Sequence, residues 1–357
     1  MENTQQYKVI GLMSGTSLDG LDLAACEFRH SEGKWQFRLR HAETLEYPAS
    51  WRKKLMGAHQ LDAASLMEMD AGFGIYLGEA VRSFSIRRKF KPDFVASHGH
   101  TVFHQPSKGF TTQIGNGQAI HATSGMPVIS DFRTLDVLLG GQGAPLVPMG
   151  DKMLFSDYDV CLNLGGIANL SMDIKGKRVA FDVCFVNMAL NLLAGELRKK
   201  FDNKGNIAAS GEIHKPLLRT LRSKYDKLRG KRPSLGREIF ERDFLSAITN
   251  SSIALNDRMR TVTESIALEI TDVVRELKGS SVLCTGGGAF NSFLISRMLE
   301  LGGDDVSWVI PDDDIVKFKE AIVFAFLGVL RRRGEVNCLR SVTGASRDCS
   351  GGVLAGF

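Results

Sequence analysis

The feature that most constrains this chain is a pattern found in each half of it. Val9 to Met13 is an apolar run that breaks at the polar turn Ser14-Gly15-Thr16-Ser17-Leu18-Asp19-Gly20, after which apolar character resumes over Leu21 to Phe28. Val160 to Leu164 breaks in the same way at Gly165-Gly166-Ile167-Ala168-Asn169 and resumes over Leu170 to Ile174, with a further strand predicted over Arg178 to Val183. Strand, glycine turn, strand in both halves predicts two related lobes with a cleft between them, rather than the short fixed period of a solenoid. A length of 357 residues agrees, since it exceeds what one ordinary core fills.

Between the hairpins, Leu66, Met69, Phe73, Tyr76, Leu77, Ala80, Val81 and Phe84 recur at helical spacing, predicting a helix over Ala63 to Phe90 that packs on a sheet. Asp93 to His98 reads as a buried strand. Arg258 to Leu277 reads as an amphipathic helix leading into a strand at Ser281 to Thr285, the triple glycine Gly286-Gly287-Gly288, and a helix from about Asn291. The most apolar stretch, Ala321 to Leu330, is about half of the ~20 residues a membrane helix needs and is predicted to be a buried helix. The polar start MENTQQYK carries no charged-then-apolar leader, so a cytoplasmic protein is expected.

Composition narrows the function classes. The net charge of +5 is small, and the basic runs at Arg87 to Lys91, Lys224 to Arg232 and Arg331 to Arg333 lack interleaved aromatics, so they are expected to be solvated faces rather than a nucleic-acid platform. The six cysteines have no CxxC pair, which fits free thiols better than a disulfide frame or a zinc site. His98, His100 and His104 invite a metal reading, but with no Cys or carboxylate cluster beside them they are expected to form a wall, and no metal ligand is assigned.

Glycine turns let backbone N–H groups converge on a phosphate because no Cβ blocks approach, and hydroxyls add donors. No GxxxxGK[ST] loop lies between a strand and a helix, which disfavours the P-loop class, and no GxGxxG follows a strand, which disfavours a dinucleotide oxidoreductase. Each glycine cluster alone is an ordinary tight turn. Their ordered occurrence, on both hairpins and then between strand and helix, points to nucleotide binding.

The run from Val9 to Gly20, VIGLMSGTSLDG, resembles the opening signature of anhydro-N-acetylmuramic acid kinases. Further matches follow in order: SHGHTVFHQP (97–106), QIGNG (113–117), DFRTLDVLLGGQGAPLVP (131–148), LNLGGIANL (162–170), AFD (180–182), TGGGAFN (285–291), KEAIVFAFLG (319–328) and SVTGAS (341–346). The resemblance covers nearly the whole chain. It implies an α/β, two-lobed actin-like ATPase (ribonuclease H-like) fold with a central nucleotide cleft; the second hairpin sets the lobe boundary, with the first lobe expected over 1–130 plus about 335–357 and the second over 131–334. It also implies ATP and Mg²⁺ as cofactors, a small anhydrosugar as substrate, and a possible homodimer. In that family water opens the bridge of a 1,6-anhydro sugar from cell-wall turnover while its O6 takes the γ-phosphoryl group, giving N-acetylmuramic acid 6-phosphate.

The site residues follow from the resemblance. Asp182 matches the position of the base that activates water, and Glu320 matches a glutamate that orients water or sugar. Arg133 and Thr101 match sugar contacts. Ser14, Gly15, Thr16, Ser17 and Asp19, with Gly165, Gly166 and Asn169, would line the phosphate channel, while Gly286, Gly287 and Gly288 would approach the adenosine. Asp19 is also an outer-sphere candidate for Mg²⁺. On spacing alone Asp182 is an ordinary turn or capping residue, Arg133 an interdomain ion pair and Glu320 a first-turn helix residue.

The family continues past its catalytic Asp with a Thr-Gly-Pro-Gly-Asn type turn, whereas this chain reads Asp182-Val183-Cys184-Phe185-Val186-Asn187. Cys184 and Phe185 are therefore expected to reshape the sugar pocket. The alternatives are a kinase of another 1,6-anhydrosugar such as levoglucosan, a hexokinase-like enzyme, or a non-catalytic nucleotide-gated binding protein.

Overall fold

The computed structural model describes residues 5–15, 18–230 and 232–357. Its packing divides the chain into two units, Met1–Phe155 with Phe318–Phe357, and Ser156–Lys317.

The first unit is built on β1 (Gln5–Ser14), β2 (Leu21–Ser31), β3 (Lys34–Leu45), β4 (Phe94–Gln105), β5 (Phe110–Ile114), β6 (Val128–Ser130) and, from the far end of the chain, β12 (Val353–Ala355). Their order is β12-β6-β4-β1-β2-β3, with β5 paired to β4. β1, β2 and β3 form an antiparallel meander, and β4 and β6 lie parallel to β1 and to each other. The unbroken apolar run of β1 follows from burial on both faces. Val9 joins a core with Ala24, Phe94, Ala96, Phe324 and Phe326, while Ile10 and Leu12 join another with Phe73, Leu77, Val81 and Phe84.

The helix predicted over Ala63 to Phe90 spans Ala63–Arg88. Asp62 caps its start by accepting a hydrogen bond from the Ser65 amide, and Lys89 in the left-handed region ends it. The apolar stretch predicted as a buried helix lies inside the helix Asp313–Arg332, whose residues from Phe318 onward belong to the first unit. That helix comes so close to β1 and β4 that a Cβ on Gly11 would sit 2.0 Å from the Ala321 carbonyl oxygen, and a Cβ on Gly328 would sit 2.8 Å from Ala96 Cβ on β4.

The second unit carries β7 (Val160–Leu164), β8 (Ile167–Ile174), β9 (Lys177–Phe185), β10 (Ser281–Thr285) and β11 (Ser307–Val309), in the order β11-β10-β7-β8-β9. β7, β8 and β9 are an antiparallel meander, and β10 and β11 run parallel to β7 and to each other. This repeats the order β3-β2-β1-β4-β6 of the first unit strand for strand. The duplication read from the hairpins is thus a duplication of topology, and the fold is α/β of the actin-like, ribonuclease H-like kind. The helices Leu255–Glu276 and Ser292–Gly302 contribute Val262, Ile266, Ile270, Leu294 and Met298 to the single core of this unit.

One surface expectation fails. The basic run from Lys224 to Arg232 begins within the helix Lys215–Arg229, which buries Leu217, Leu221 and Tyr225. Arg229 lies 2.5 Å from the buried carboxylate of Glu269, and Arg232 lies 3.6 Å from Glu276. The run is tied to the helix Leu255–Glu276 because its arginines face acidic residues there, so it is not simply a solvated face. Among the described residues no helix is long and apolar enough to cross a membrane.

Gly11→Ala is expected to destabilise the first unit by about 1–3 kcal/mol, because the new methyl has no space beside the Ala321 carbonyl. Urea unfolding of the purified variant checks this, and an unchanged midpoint would contradict the packing.

Candidate functional site

In the first unit the glycine turn follows directly from β1. Ser14, the last residue of β1, is buried, and its hydroxyl accepts a hydrogen bond from Tyr47 Oη at 2.7 Å and contacts His100 Nδ1 at 2.9 Å. Burial lowers the pKa of His100 to about 4, so the ring is neutral. The Ser14 hydroxyl is thus engaged inside the protein, between Tyr47 and His100. Beyond it Gly15 is half-buried, Leu18 has a positive φ of 59° and Asp19 is exposed. Thr16 and Ser17, expected to help line a phosphate channel, lie outside the described residues.

Arg133 is fixed by its own neighbours. Its Nε donates to His98 Nε2 at 2.9 Å and its Nη1 donates to the Gly143 carbonyl at 2.6 Å. Because His98 Nε2 accepts, Nδ1 must carry the ring proton, and it donates to the Gly99 carbonyl at 2.8 Å. Burial first, and then Arg133, holds the His98 pKa well below its ordinary value. Thr101 Oγ1 accepts from Gln113 Nε2 at 3.3 Å. The three histidines expected to form a wall are each bonded to protein groups, His104 through Thr111.

Three acidic residues of this unit interact electrostatically. Glu320 keeps accessible surface, yet the protein around it raises its pKa by desolvation, opposed by Arg133 and then Lys319. The accessible surface is what allows it to meet a ligand. Asp22, on β2 opposite Met13, is raised to about 6, chiefly by burial; the Thr44 hydroxyl opposes this, and Glu320 and Asp19 add to it. The sequence reading passed over Asp22. Its signal was available as a carboxylate between Leu21 and Leu23 in a strand that is otherwise apolar.

In the second unit the matching turn, Gly165-Gly166, is held by the chain that follows β9. The Gly166 carbonyl accepts from the Val186 and Met188 amides and the Gly165 carbonyl from the Asn187 amide, while Asn187 Nδ2 donates to the Leu164 carbonyl at 3.1 Å. Asn169 and Asp182 are opposite residues across β8 and β9. The Leu235 amide donates to Asp182 Oδ2 at 2.8 Å, and Ser234 Oγ approaches the same oxygen at 3.5 Å. Desolvation raises the Asp182 pKa against those two contacts. Oδ1 takes no hydrogen bond from the described residues, which leaves it available as a base.

The triple glycine has two separable jobs. Gly286 (φ 81°) and Gly288 pack on the end of β7, where added Cβ atoms would come within 2.4 Å of Asn163 Oδ1 and 2.8 Å of Leu164 Cβ. Gly287 is exposed and, with Asn187, Phe201, Phe290, Asn291 and Lys317, lines a cavity of about 490 Å³. Phe201 and Phe290 are partly exposed beside it. A glycine floor, exposed aromatic rings and amide side chains suit a purine nucleoside.

The expectation that Cys184 and Phe185 reshape a sugar pocket is overturned. Both are fully buried, with Phe185 edge-on to Phe240 and Phe244 at 5.1 Å. The physical reason is a register shift between Ala168 and Asn169, which leaves Val183 without a partner and turns Cys184 and Phe185 into the core. Of the substituted positions 183–186, only Val183 lines the small cavity at Asp182.

A family model described as anhydro-N-acetylmuramic acid kinase matches residues 7–356. A protein of that name from Sulfurovum sp. (strain NBC37-1) is 32% identical over 98% of this chain and 99% of its own length. Another from Vibrio vulnificus (strain CMCP6) is 33% identical over 97% of each chain. Among solved structures, the chain is similar to the activator of the 2-hydroxyisocaproyl-CoA dehydratase from Clostridium difficile with bound ADPNP, at 14% identity, 91% and 97% coverage and a TM-score of 0.41.

Because folding raises the Asp22 carboxyl from 3.8 to about 6, the folded state binds the proton more tightly in that window, and stability falls as pH rises through it. Asp22→Asn keeps an acceptor for Thr44 and removes the charge. It is expected to melt a few degrees above the parent protein near pH 7 and level with it near pH 4, by calorimetry; equal melting at both would contradict the shift.

Proposed function

The chain belongs to the anhydro-N-acetylmuramic acid kinase family, and from that premise we propose that it converts 1,6-anhydro-N-acetylmuramic acid, water and ATP into N-acetylmuramic acid 6-phosphate and ADP, in the cytoplasm, as a step in recycling cell-wall sugar. The observation that carries the reading is Asp182. One oxygen is fixed by a backbone amide, the other is available, and desolvation moves its acidity toward neutrality, which is what a general base for water requires.

Opening the bridge needs water to add at the anomeric carbon while the bond from that carbon to O6 breaks. Asp182 takes the proton of the attacking water. O6 departs still attached to C6, and its electron pair makes it the nucleophile toward phosphorus. Glu320 orients water or sugar, and Arg133 favours its charged form. Arg133, already pinned by His98 and Gly143, presents its remaining N–H groups to the sugar substituents, and Thr101 adds a hydroxyl.

The cavity floored by Gly287 fits the nucleoside, and the glycine turns at Gly15 and at Gly165 and Gly166 present backbone toward phosphates. ATP supplies the phosphoryl group. Mg²⁺ would be held mainly by phosphate oxygens and water, with the exposed Asp19 as an outer-sphere partner. The case for a different anhydrosugar narrows, since Cys184 and Phe185, the residues expected to reshape the sugar pocket, are buried in the core of the second unit.

Asp182→Asn is expected to bind ATP as the parent does and to lose about 10²–10⁴-fold in sugar-dependent ADP release. A coupled assay with Mg²⁺ and 1,6-anhydro-N-acetylmuramic acid measures the rate, and nucleotide titration measures binding. Near-parental turnover would remove Asp182 from the base role.

A further inference from the structure

One side-chain cluster in the first unit is used by nothing described so far. Cys338 and Cys349 are antiparallel neighbours that exchange both backbone hydrogen bonds, each at 3.1 Å. Their sulfurs and a carboxylate oxygen of Asp136 all lie within 4.8 Å of one another, and all three residues are buried. Cys338 Sγ donates to Asp136 Oδ1 at 3.1 Å. The Thr343 hydroxyl donates to the same oxygen at 2.7 Å, and the Gly143 amide donates to Oδ2 at 2.7 Å. Asp136 therefore ties the segment at Cys338, the turn at Thr343 and the glycine loop at Gly143 together. With three donors already on the carboxylate, the cluster is arranged for hydrogen bonding rather than for a metal ion.

We propose that Cys338 and Cys349 are an oxidation site that closes to an intrachain disulfide, and that closure weakens the hold of the protein on Arg133. Paired residues of this kind lie about 5.5 Å apart at Cα, inside the range a disulfide spans. Cys349 keeps 7% exposure against 2% for Cys338, so it is the thiol that meets a small peroxide first. Its thiolate attacks a peroxide oxygen, the O–O bond breaks, and the leaving hydroxide takes the thiol proton to become water. The sulfur of Cys338 then displaces hydroxide from the resulting sulfenic acid; the S–S bond forms and the Cys338 proton leaves in a second water. The two thiols are oxidised and one peroxide is reduced.

Closure removes the Cys338 hydrogen from Asp136 and leaves a fully buried carboxylate short of a donor. The carboxylate must recruit another donor, and the segment it holds through the Gly143 amide carries the carbonyl that fixes Arg133 Nη1. The expected cost falls on sugar binding and not on nucleotide binding. That consequence rests on the assignment of Arg133 to the sugar.

The test treats the full-length reduced protein with hydrogen peroxide. Peptide mass mapping is expected to find the segments bearing Cys338 and Cys349 joined and lighter by two hydrogens. The KM for the anhydrosugar is expected to rise about tenfold, the KM for ATP to stay level, and dithiothreitol to restore both readings. Cys349→Ser is expected to keep the reduced-state KM after peroxide, and Cys338→Ser serves the same purpose should the first variant fold poorly. Absence of the cross-link in folded protein, or a cross-link with an unchanged sugar KM, overturns the proposal. Arg133→Lys with an unchanged sugar KM in reduced protein overturns the Arg133 assignment instead, whatever the mass map shows.

Discussion

The close approach of β1 to the helix Asp313–Arg332 is the constraint on which the first unit rests. Gly11 lets the strand backbone meet the Ala321 carbonyl, and Gly328 does the same for Ala96 on β4. Ala321 follows Glu320, so seating the helix also sets that carboxylate near Arg133 and Asp22, whose charges it feels. A larger residue at either contact would move helix and carboxylate together. The packing that gives this unit its core on that face of the sheet is therefore the packing that places its acidic groups.

The topology explains why glycine turns occur in pairs. In both units the central strand is flanked by an antiparallel neighbour on one side and a parallel one on the other, so the first hairpin turn lies at the end of the strand buried deepest in the sheet. The two turns are held differently. The first continues from a serine locked between Tyr47 and His100, whereas the second is clamped by backbone bonds from residues 186–188 and by the Asn187 side chain. A family resemblance identifies such turns by their glycines, but the residues that hold them are scattered along the chain.

What was legible in the sequence follows the same division. β7 and β10 match their predicted spans, and the helix Ala63–Arg88 ends two residues short of its prediction, because continuous apolar runs and a long apolar stripe are strong local signals. β3 was not anticipated. It is an edge strand, Lys34–Leu45, whose alternate residues are charged and exposed, so its pattern merges with that of a loop. The inward turn of Cys184 and Phe185 depends on a register shift against β8, which no local pattern records. The Asp136 cluster joins residues about 200 positions apart in the chain, and its members look ordinary until the fold gathers them. Thus the elements were readable, while the partners that set the protonation and position of the proposed site residues were not.

The central claim is that water enters at the anomeric carbon while O6 accepts the phosphoryl group. Turnover of 1,6-anhydro-N-acetylmuramic acid with ATP and Mg²⁺ in ¹⁸O-labelled water, followed by mass analysis of product fragments, tests it most directly. The account predicts a product heavier than the substrate by water and a phosphoryl group, with the label on the anomeric carbon and none in the phosphate. Label in phosphate, or ADP formed with no sugar phosphate, would contradict it.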